Sequence, residues 1–406
     1  VTRQLPLSGI QVLDLSRVVA GPLCASLLGD LGAEVIKVEG PEHPDETRGW
    51  FPPDTAGVGL YFATVNRNKR AITANLASDD GRAIVSELAR RSDVVVENFT
   101  VGTLERLGLA YPALRRINPG VVLCSITGFG QSGPDRDQPG YDILAQARSG
   151  FVSANGAPDS EGTKAPIALA DMLTGLHATI SILAALRARD RTGTGQHLDL
   201  ALLDSMVFSL LNLGTSTLNS GTEPPRYGNQ HQTLVPYQRF RTRDRDIIIA
   251  VGNDAQFVRL CSELGLAGLP SDSRFSTASA RITHREALLP LVEAACAART
   301  ADDLLSRLRA LRVPAGPIHT ISDALADPQI HARGLIQSVA HPTAGVLKLL
   351  RAPLGFADLP TVIRRPPPLF SEHTEEVLSE LGYSEERIAA LQVSGAITRA
   401  TQTAVR

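Results

Sequence analysis

A chain of 406 residues, 43% hydrophobic and 20% charged, is long enough for two domains and buries a core without needing disulfide or metal staples. Its formal net charge of −2 excludes the basic excess of a nucleic-acid scaffold, but leaves room for a local arginine cluster that binds an anion. In chain order, Ile10–Leu15 reads as a short buried strand, Leu23–Leu31 as a helix that stops at Gly32, and Glu34–Glu39 as the next strand. Helical spacing over Gly81–Arg91 precedes a strand at Asp93–Glu97; a helix at Pro112–Ile117 precedes a strand at Val121–Ile126. This alternation predicts an α/β, Rossmann-like large domain, a parallel sheet covered by helices on both faces. Residues 128–166 are rich in Gly, Pro, Ser and Asp and read as a long functional loop, after which Ala170–Arg189 forms a helix and His197–Leu200 a strand.

The Gly/Pro-rich stretch 221–236 marks a boundary. Beyond it, strands at Tyr237–Arg241 and Asp246–Val251 and helices near Gln256–Leu264, Arg285–Ala298 and Ala301–Leu311 predict a smaller α+β domain. The expected division is 1–222, 223–330 and a C-terminal segment, 331–406, that rejoins the large domain. A helix at Thr374–Leu381 closes on Gly382. The four cysteines, Cys24, Cys124, Cys261 and Cys296, are far apart among apolar neighbours and read as buried free thiols. The opening V-T-R-Q-L-P-L has no basic-then-apolar leader, and no apolar run reads as approaching the roughly 20 residues of a bilayer span. The cytoplasm is the expected location.

The run Gly128-Phe129-Gly130-Gln131-Ser132-Gly133 matches G-x-G-x-x-G after a strand. A dinucleotide fingerprint also needs a helix opening at that turn, whereas Pro134 and Pro139-Gly140 predict a loop. The nine histidines form no metal-binding spacing, so no metal is expected. Asp171 begins a strongly apolar helix and has two readings. It is either the cap that accepts a backbone N–H bond, or an ionised carboxylate, favoured by the helix dipole, that attacks an activated carbonyl. Arg17, Arg48, Arg67, Arg70 and Arg106 are candidate phosphate partners, and Asn66–Arg70 reads as a basic turn that could hold a large anion.

The run Gly9–Pro22, with Leu31–Glu39, Asn66-x-Asn68-Lys69-Arg70 and Val96-Glu97-Asn98-Phe99, resembles the class III CoA-transferases. So do Gly128-Phe129-Gly130-Gln131-x-Gly133-Pro134, Asp171-Met172-x-Thr174-Gly175, Thr192-Gly193-x-Gly195-Gln196 and Leu381-Gly382-Tyr383, in the same order across nearly the whole chain. The resemblance implies that Asp171 is catalytic, carrying the acyl group as an anhydride and CoA as a thioester. It implies CoA contacts at Val19, Ala20, Asn75, Asn98, Phe99, Thr100 and Arg106, with Gln138, Pro139, Gly140 and Tyr141 at the thioester end. It also implies an interlocked homodimer with acyl-CoA and a small carboxylic acid as partners, CoA being a substrate and no cofactor permanently bound. Valine at position 19, where oxalate-using relatives carry an amide, points to a more apolar acid. Tyr141-Asp142, where the racemase branch has His-Asp, points to transfer over racemisation, since a phenol of pKa near 10 is a poor base at neutral pH. Backbone N–H groups near Gly140 and Gly252 are the expected oxyanion donors, and Trp50, Tyr61 and Tyr141 are expected to shape the acid pocket.

Overall fold

A computed structural model describes residues 4–50, 54–356 and 361–400. Two compact units emerge. The first comprises Val1–Phe151, Lys164–Gly221 and Ala332–Arg406; the second comprises Val152–Thr163 and Thr222–His331.

The first unit is built on strands β1 (Gln11–Asp14), β2 (Glu34–Glu39), β3 (Lys69–Thr73), β4 (Val94–Glu97), β5 (Val122–Thr127) and β6 (His197–Ala201). They form one sheet in the order β3-β2-β1-β4-β5-β6, every pair parallel. Helices α1 (Ala20–Asp30), α2 (Asp79–Arg91), α3 (Thr103–Leu107), α4 (Tyr111–Ile117), α5 (Asp142–Arg148), α6 (Leu169–Thr192) and α7 (Leu202–Ser209) connect or follow these strands. A parallel sheet is covered on both faces, so its strands carry apolar side chains on both sides. In β4, Val94 and Val96 pack with Cys24, Leu28, Ala178 and Ile182 on the α1/α6 face, while Val95 packs with Leu13, Ile84 and Leu88 on the α2 face.

Local chemistry sets the helix ends. Ser78 accepts the Gly81 N–H at 3.0 Å to cap α2, with Asp79 and Asp80 in its first turn and Arg90 and Arg91 in its last, each complementing the helix dipole. Gly193, at φ +70°, ends α6. That helix is long and apolar enough by length and composition to match a bilayer span, contrary to the reading of the sequence. Here its buried side, including Ala170, Ala178, Ile182 and Ala185, forms core. A Cβ on Gly175 would lie 2.8 Å from the Ala20 carbonyl oxygen, so glycine is what lets α6 approach α1. Helices α8 (Thr374–Glu380) and α9 (Glu385–Val393) add Val377, Leu378, Ile388 and Leu391 to the α2-side core.

Three features differ from the sequence reading. The segment 128–166 is not all loop, since it contains α5. A hairpin, Ile336–His341 with Gly345–Leu350, was not anticipated. The supposed basic turn is the entry to edge strand β3, and its cations are spent inside the protein. Arg67 pairs with Asp30 at 2.6 Å, Lys69 with Asp14 at 2.8 Å, and Arg70 with both Glu376 and Glu380 at 2.7 Å. Arg48 likewise pairs with Glu39 at 2.6 Å and stacks on Phe62. None of these four is free to hold a phosphate.

The second unit has a three-stranded antiparallel sheet of Tyr237–Arg241, Asp246–Ala250 and Ala315–Pro317, with helices Asp254–Glu263, Arg285–Ala297 and Ala301–Ala310. Phe240, Ile247, Phe257, Leu260, Leu288 and Leu304 fill its core.

All four cysteines are buried free thiols. Burial pushes Cys24 and Cys296 up to about 12 and Cys261 up to about 11, which keeps these thiols protonated and poor nucleophiles at neutral pH.

The Lys69–Asp14 pair is wholly buried, and Lys69 Nζ also donates to the Pro22 carbonyl and to Asn66 Oδ1, each at 2.8 Å. Removing one partner strands the other charge. Lys69→Met is therefore expected to lose roughly 3–5 kcal/mol in urea unfolding. A loss below about 1 kcal/mol would mean that Asp14 is neutral in the fold.

Candidate active site

In the strand order of the large sheet the chain reverses direction between β1 and β4, and open α/β sheets bind ligands outside the strand ends at such a point. A cavity of about 450 Å³ lies there. Its walls come from the ends of β1 (Arg17–Ala20), β4 (Asn98–Val101) and β5 (Thr127, Gly128), from Gln138–Asp142, and from Asp171.

The first wall is held by side-chain clamps. Asn98 accepts the Arg17 N–H at 2.9 Å and donates to the Arg17 carbonyl at 2.8 Å, standing in for a neighbouring strand. Val18 sits at φ +69°, a left-handed conformation that a β-branched residue adopts only under constraint, at a cost of about 1–3 kcal/mol. The Asp45 carboxylate accepts its N–H at 3.3 and 3.4 Å. Asp45 is fixed in turn by the buried Lys37 ammonium at 2.9 Å and by the Thr47 hydroxyl at 2.6 Å. Val19 and Ala20 then open α1, which has no side-chain cap. Arg17 pairs with Glu46 at 2.5 Å, both side chains well exposed, while its buried Nε has no partner among the described residues.

The second wall returns to the sheet through two glycines. A Cβ on Gly128 would meet the Gly140 Cα at 2.3 Å, and one on Gly140 would meet the Gly128 Cα at 2.1 Å. This backbone contact closes the excursion 129–139 and delivers Gln138–Asp142 to the cavity.

The third wall is the start of α6. Asp171 is its third residue, and neither Asp171 nor any other local side chain caps it. The cap is supplied by Asp142, whose Oδ1 accepts the N–H groups of Ala170 at 2.7 Å and Asp171 at 3.3 Å. Its Oδ2 accepts from the buried Gln146 amide at 2.6 Å, and Gln146 Oε1 accepts the Ala165 N–H at 2.8 Å. No described residue donates a hydrogen bond to the Asp171 carboxylate. Burial, then the charge of Asp142, push Asp171 up to about 7. Desolvation and a like charge thus oppose the helix dipole, which favours the anion. Burial, followed by the charges of Asp171 and Asp142, also raises the Tyr61 phenol. Tyr61 therefore stands near both carboxylates, with Trp50 edge-on to its ring at 5.1 Å.

Of the residues singled out from the sequence, the cavity gathers Val19, Ala20, Asn98, Phe99, Thr100, Gln138, Pro139, Gly140, Tyr141 and Asp171. Arg106 lies on α3 outside the lining and donates to the Thr103 hydroxyl at 2.8 Å. Asn75 does not line the cavity. Its Oδ1 accepts the Ala77 N–H at 3.0 Å and its backbone N–H donates to Ala396, closing the β3–α2 turn. The Gly252 N–H donates to Gln256 Oε1 at 2.7 Å, so that expected oxyanion donor is already engaged. Sequence reasoning missed the capping role of Asp142 and the clamp by Asn98. The signal for the first was an apolar helix start preceded by alanine where a capping residue belongs.

The sequence model of CoA-transferase family III matches residues 7–374. The chain is 43% identical over 385 residues to a succinate–glutarate CoA-transferase of Agrobacterium fabrum, covering 93% of this chain and 96% of that protein. It is 39% identical over 393 residues to a mouse succinyl-CoA:glutarate CoA-transferase, covering 97% and 90%. A crystal structure of a CAIB/BAIF family protein from Brucella suis superposes with a TM-score of 0.82 at 43% identity, covering 93% of this chain and all of that one. A carboxylate in a cavity at the switch point of the sheet, together with these likenesses, leads to one conclusion: the chain belongs to CoA-transferase family III and is a CoA-transferase.

Proposed function

We propose that the protein moves CoA from an acyl-CoA to a carboxylic acid with Asp171 as the covalent carrier. The observation that carries this is the Asp171 carboxylate, placed in the cavity lining and released from capping by Asp142. An Asp171 oxygen attacks the thioester carbonyl and the C–S bond breaks, giving an aspartyl anhydride and CoA thiolate. The thiolate attacks the aspartyl carbonyl, the C–O bond breaks, and the donor acid leaves behind an aspartyl-CoA thioester. The acceptor carboxylate then attacks that thioester, releasing thiolate and forming a second anhydride. The thiolate takes the acceptor acyl group and Asp171 returns as carboxylate. No net proton is exchanged, so no general base is required, and the acyl group stays activated throughout. Water would hydrolyse either anhydride, so the half-buried position of Asp171 serves the chemistry.

The acids that fit best are dicarboxylic with a methylene chain, as the names of the two relatives suggest. Val19 offers the chain an apolar contact, and Arg17, with its unpartnered Nε, offers an anionic group a charged one. Assembly as an interlocked homodimer is part of this reading. It is supported by exposed apolar side chains near α6 and α7, among them Ile180 at 63%, Phe208 at 67% and Leu218 at 88%.

Asp171→Ala is expected to lower exchange between succinyl-CoA and glutarate by roughly ten-thousand-fold. Borohydride or hydroxylamine should trap the wild-type thioester on the peptide bearing Asp171; turnover in the variant, or a trapped label elsewhere, would sink the route. Because Asp171 titrates at about 7, log(kcat/KM) is expected to rise with pH and level off above 7. Asp142→Asn removes the neighbouring charge and should move that bend to lower pH; a bend that stays put would assign it to another group.

The carboxylate also costs stability. A carboxyl raised from 3.8 in the unfolded chain to about 7 in the folded one contributes stability that is full below the lower value and lost as pH rises through the upper one. Asp171→Asn should thus stabilise the protein by roughly 2–4 kcal/mol at pH 8 and by little at pH 4, read by denaturant unfolding at the two pH values.

A further inference from the structure

A second cluster of titratable groups lies beneath the β4 wall of the cavity and takes no part in the chemistry above. Glu97 is the last residue of β4, Ser125 its registered neighbour in β5, and His197 the first residue of β6. Glu97 and Ser125 are buried. The Ser125 hydroxyl lies 2.9 Å from His197 Nε2. Glu97 Oε2 accepts the Phe99 N–H at 2.8 Å. These side chains share a small space of about 20 Å³ with Phe99, Thr100, Val101, Tyr111 and Gln131. Phe99, Thr100 and Val101 line the main cavity on their other side.

We propose that Glu97 is a positioning residue that fixes the Phe99–Val101 wall through its carboxylate, so that CoA thioester binding follows the charge of this residue. The proposal rests on the cavity being the thioester site. While Glu97 is ionised, the Phe99 N–H donates to a charged acceptor. When Glu97 gains a proton the acceptor is neutral, and charge-assisted bonds are roughly twice as strong.

The surroundings favour a response near neutral pH. Burial brings Glu97 up to about 7, opposed by the neighbouring Ser125 hydroxyl and the Phe99 N–H bond and reinforced by Glu105 on α3. Burial lowers His197, opposed by Asp199 of β6 and by Glu105. Tyr111 of α4 stacks on the imidazole at 5.6 Å, and Cys124 of β5 stays protonated because burial raises it. Among the described residues no cation acts on Glu97 to hold its charge at lower pH.

Two measurements test this. In hydrogen exchange of the unliganded protein, protection of residues 98–103, corrected for intrinsic rate, is expected to fall about fivefold between pH 8 and pH 6, the difference between a charged and a neutral acceptor. In Glu97→Gln it should be the same at both. Ser125→Ala should retain the transition but move its midpoint upward, and serves if the Gln variant does not fold. Equal pH dependence in wild type and Glu97→Gln, or an unmoved midpoint in Ser125→Ala, overturns the proposal whatever CoA does. The second arm is CoA affinity by calorimetry in an Asp171→Ala background, with and without Glu97→Gln. The background removes the titration of Asp171, and the comparison cancels that of the ligand phosphates. About fivefold weaker binding at pH 6 than at pH 8 is expected only where Glu97 is present. If exchange responds as expected but no CoA binds at either pH, the thioester reading of the cavity fails, and the binding half of the proposal with it.

Discussion

The active site depends on one carboxylate taking over another's duty. A helix start leaves N–H groups in need of acceptors, and the nearest acidic side chain usually supplies them. Here α6 opens on alanine and leucine, and Asp142, from a different part of the chain, accepts its N–H bonds. Asp171 is thereby left in the cavity wall with a carboxylate that no described residue satisfies. A neutral cap would also accept these N–H bonds. Burial, and after it the charge of Asp142, oppose ionisation of Asp171 and bring its titration to about 7.

The β1–α1 wall shows the same economy in backbone form. The Val18 conformation is unfavourable by itself, and three linked anchors impose it: Asn98 on Arg17, Asp45 on Val18, and Lys37 on both Asp45 and the Ser16 carbonyl. The charges that look from sequence like a phosphate-binding turn belong to this supporting layer. Buried ammonium and carboxylate groups in mutual contact are poor candidates for ligand binding, because a ligand would have to replace partners that already repay their desolvation.

The parallel sheet was legible because Glu34–Glu39, Asp93–Glu97 and Val121–Ile126 carry short β-branched and apolar stretches, Val35-Ile36, Val94-Val95-Val96 and Val121-Val122-Leu123, as strands covered on both faces do. Strand β3 was not, because Lys69 and Arg70 at its start read as solvent-facing cations, and only the tertiary positions of Asp14, Glu376 and Glu380 make them internal. The cavity lining was legible largely through family resemblance. Asp142 was visible as a residue but not as a cap, since its partners are 28 and 29 positions away and no local period links them. Asn75 shows the converse: a polar residue after a strand end, it serves the turn it sits in.

The meeting of Gly128 and Gly140 has a bearing on how such enzymes diversify. With the two α-carbons in direct contact, the eleven residues between them form a closed appendage whose ends are already joined. Lengthening or rewriting that appendage costs only slowly growing loop entropy and leaves Asp142 and the start of α6 where they are. Residues 129–139 can therefore be exchanged as a cassette, altering the rim of the cavity without moving the Asp171 carboxylate in its wall.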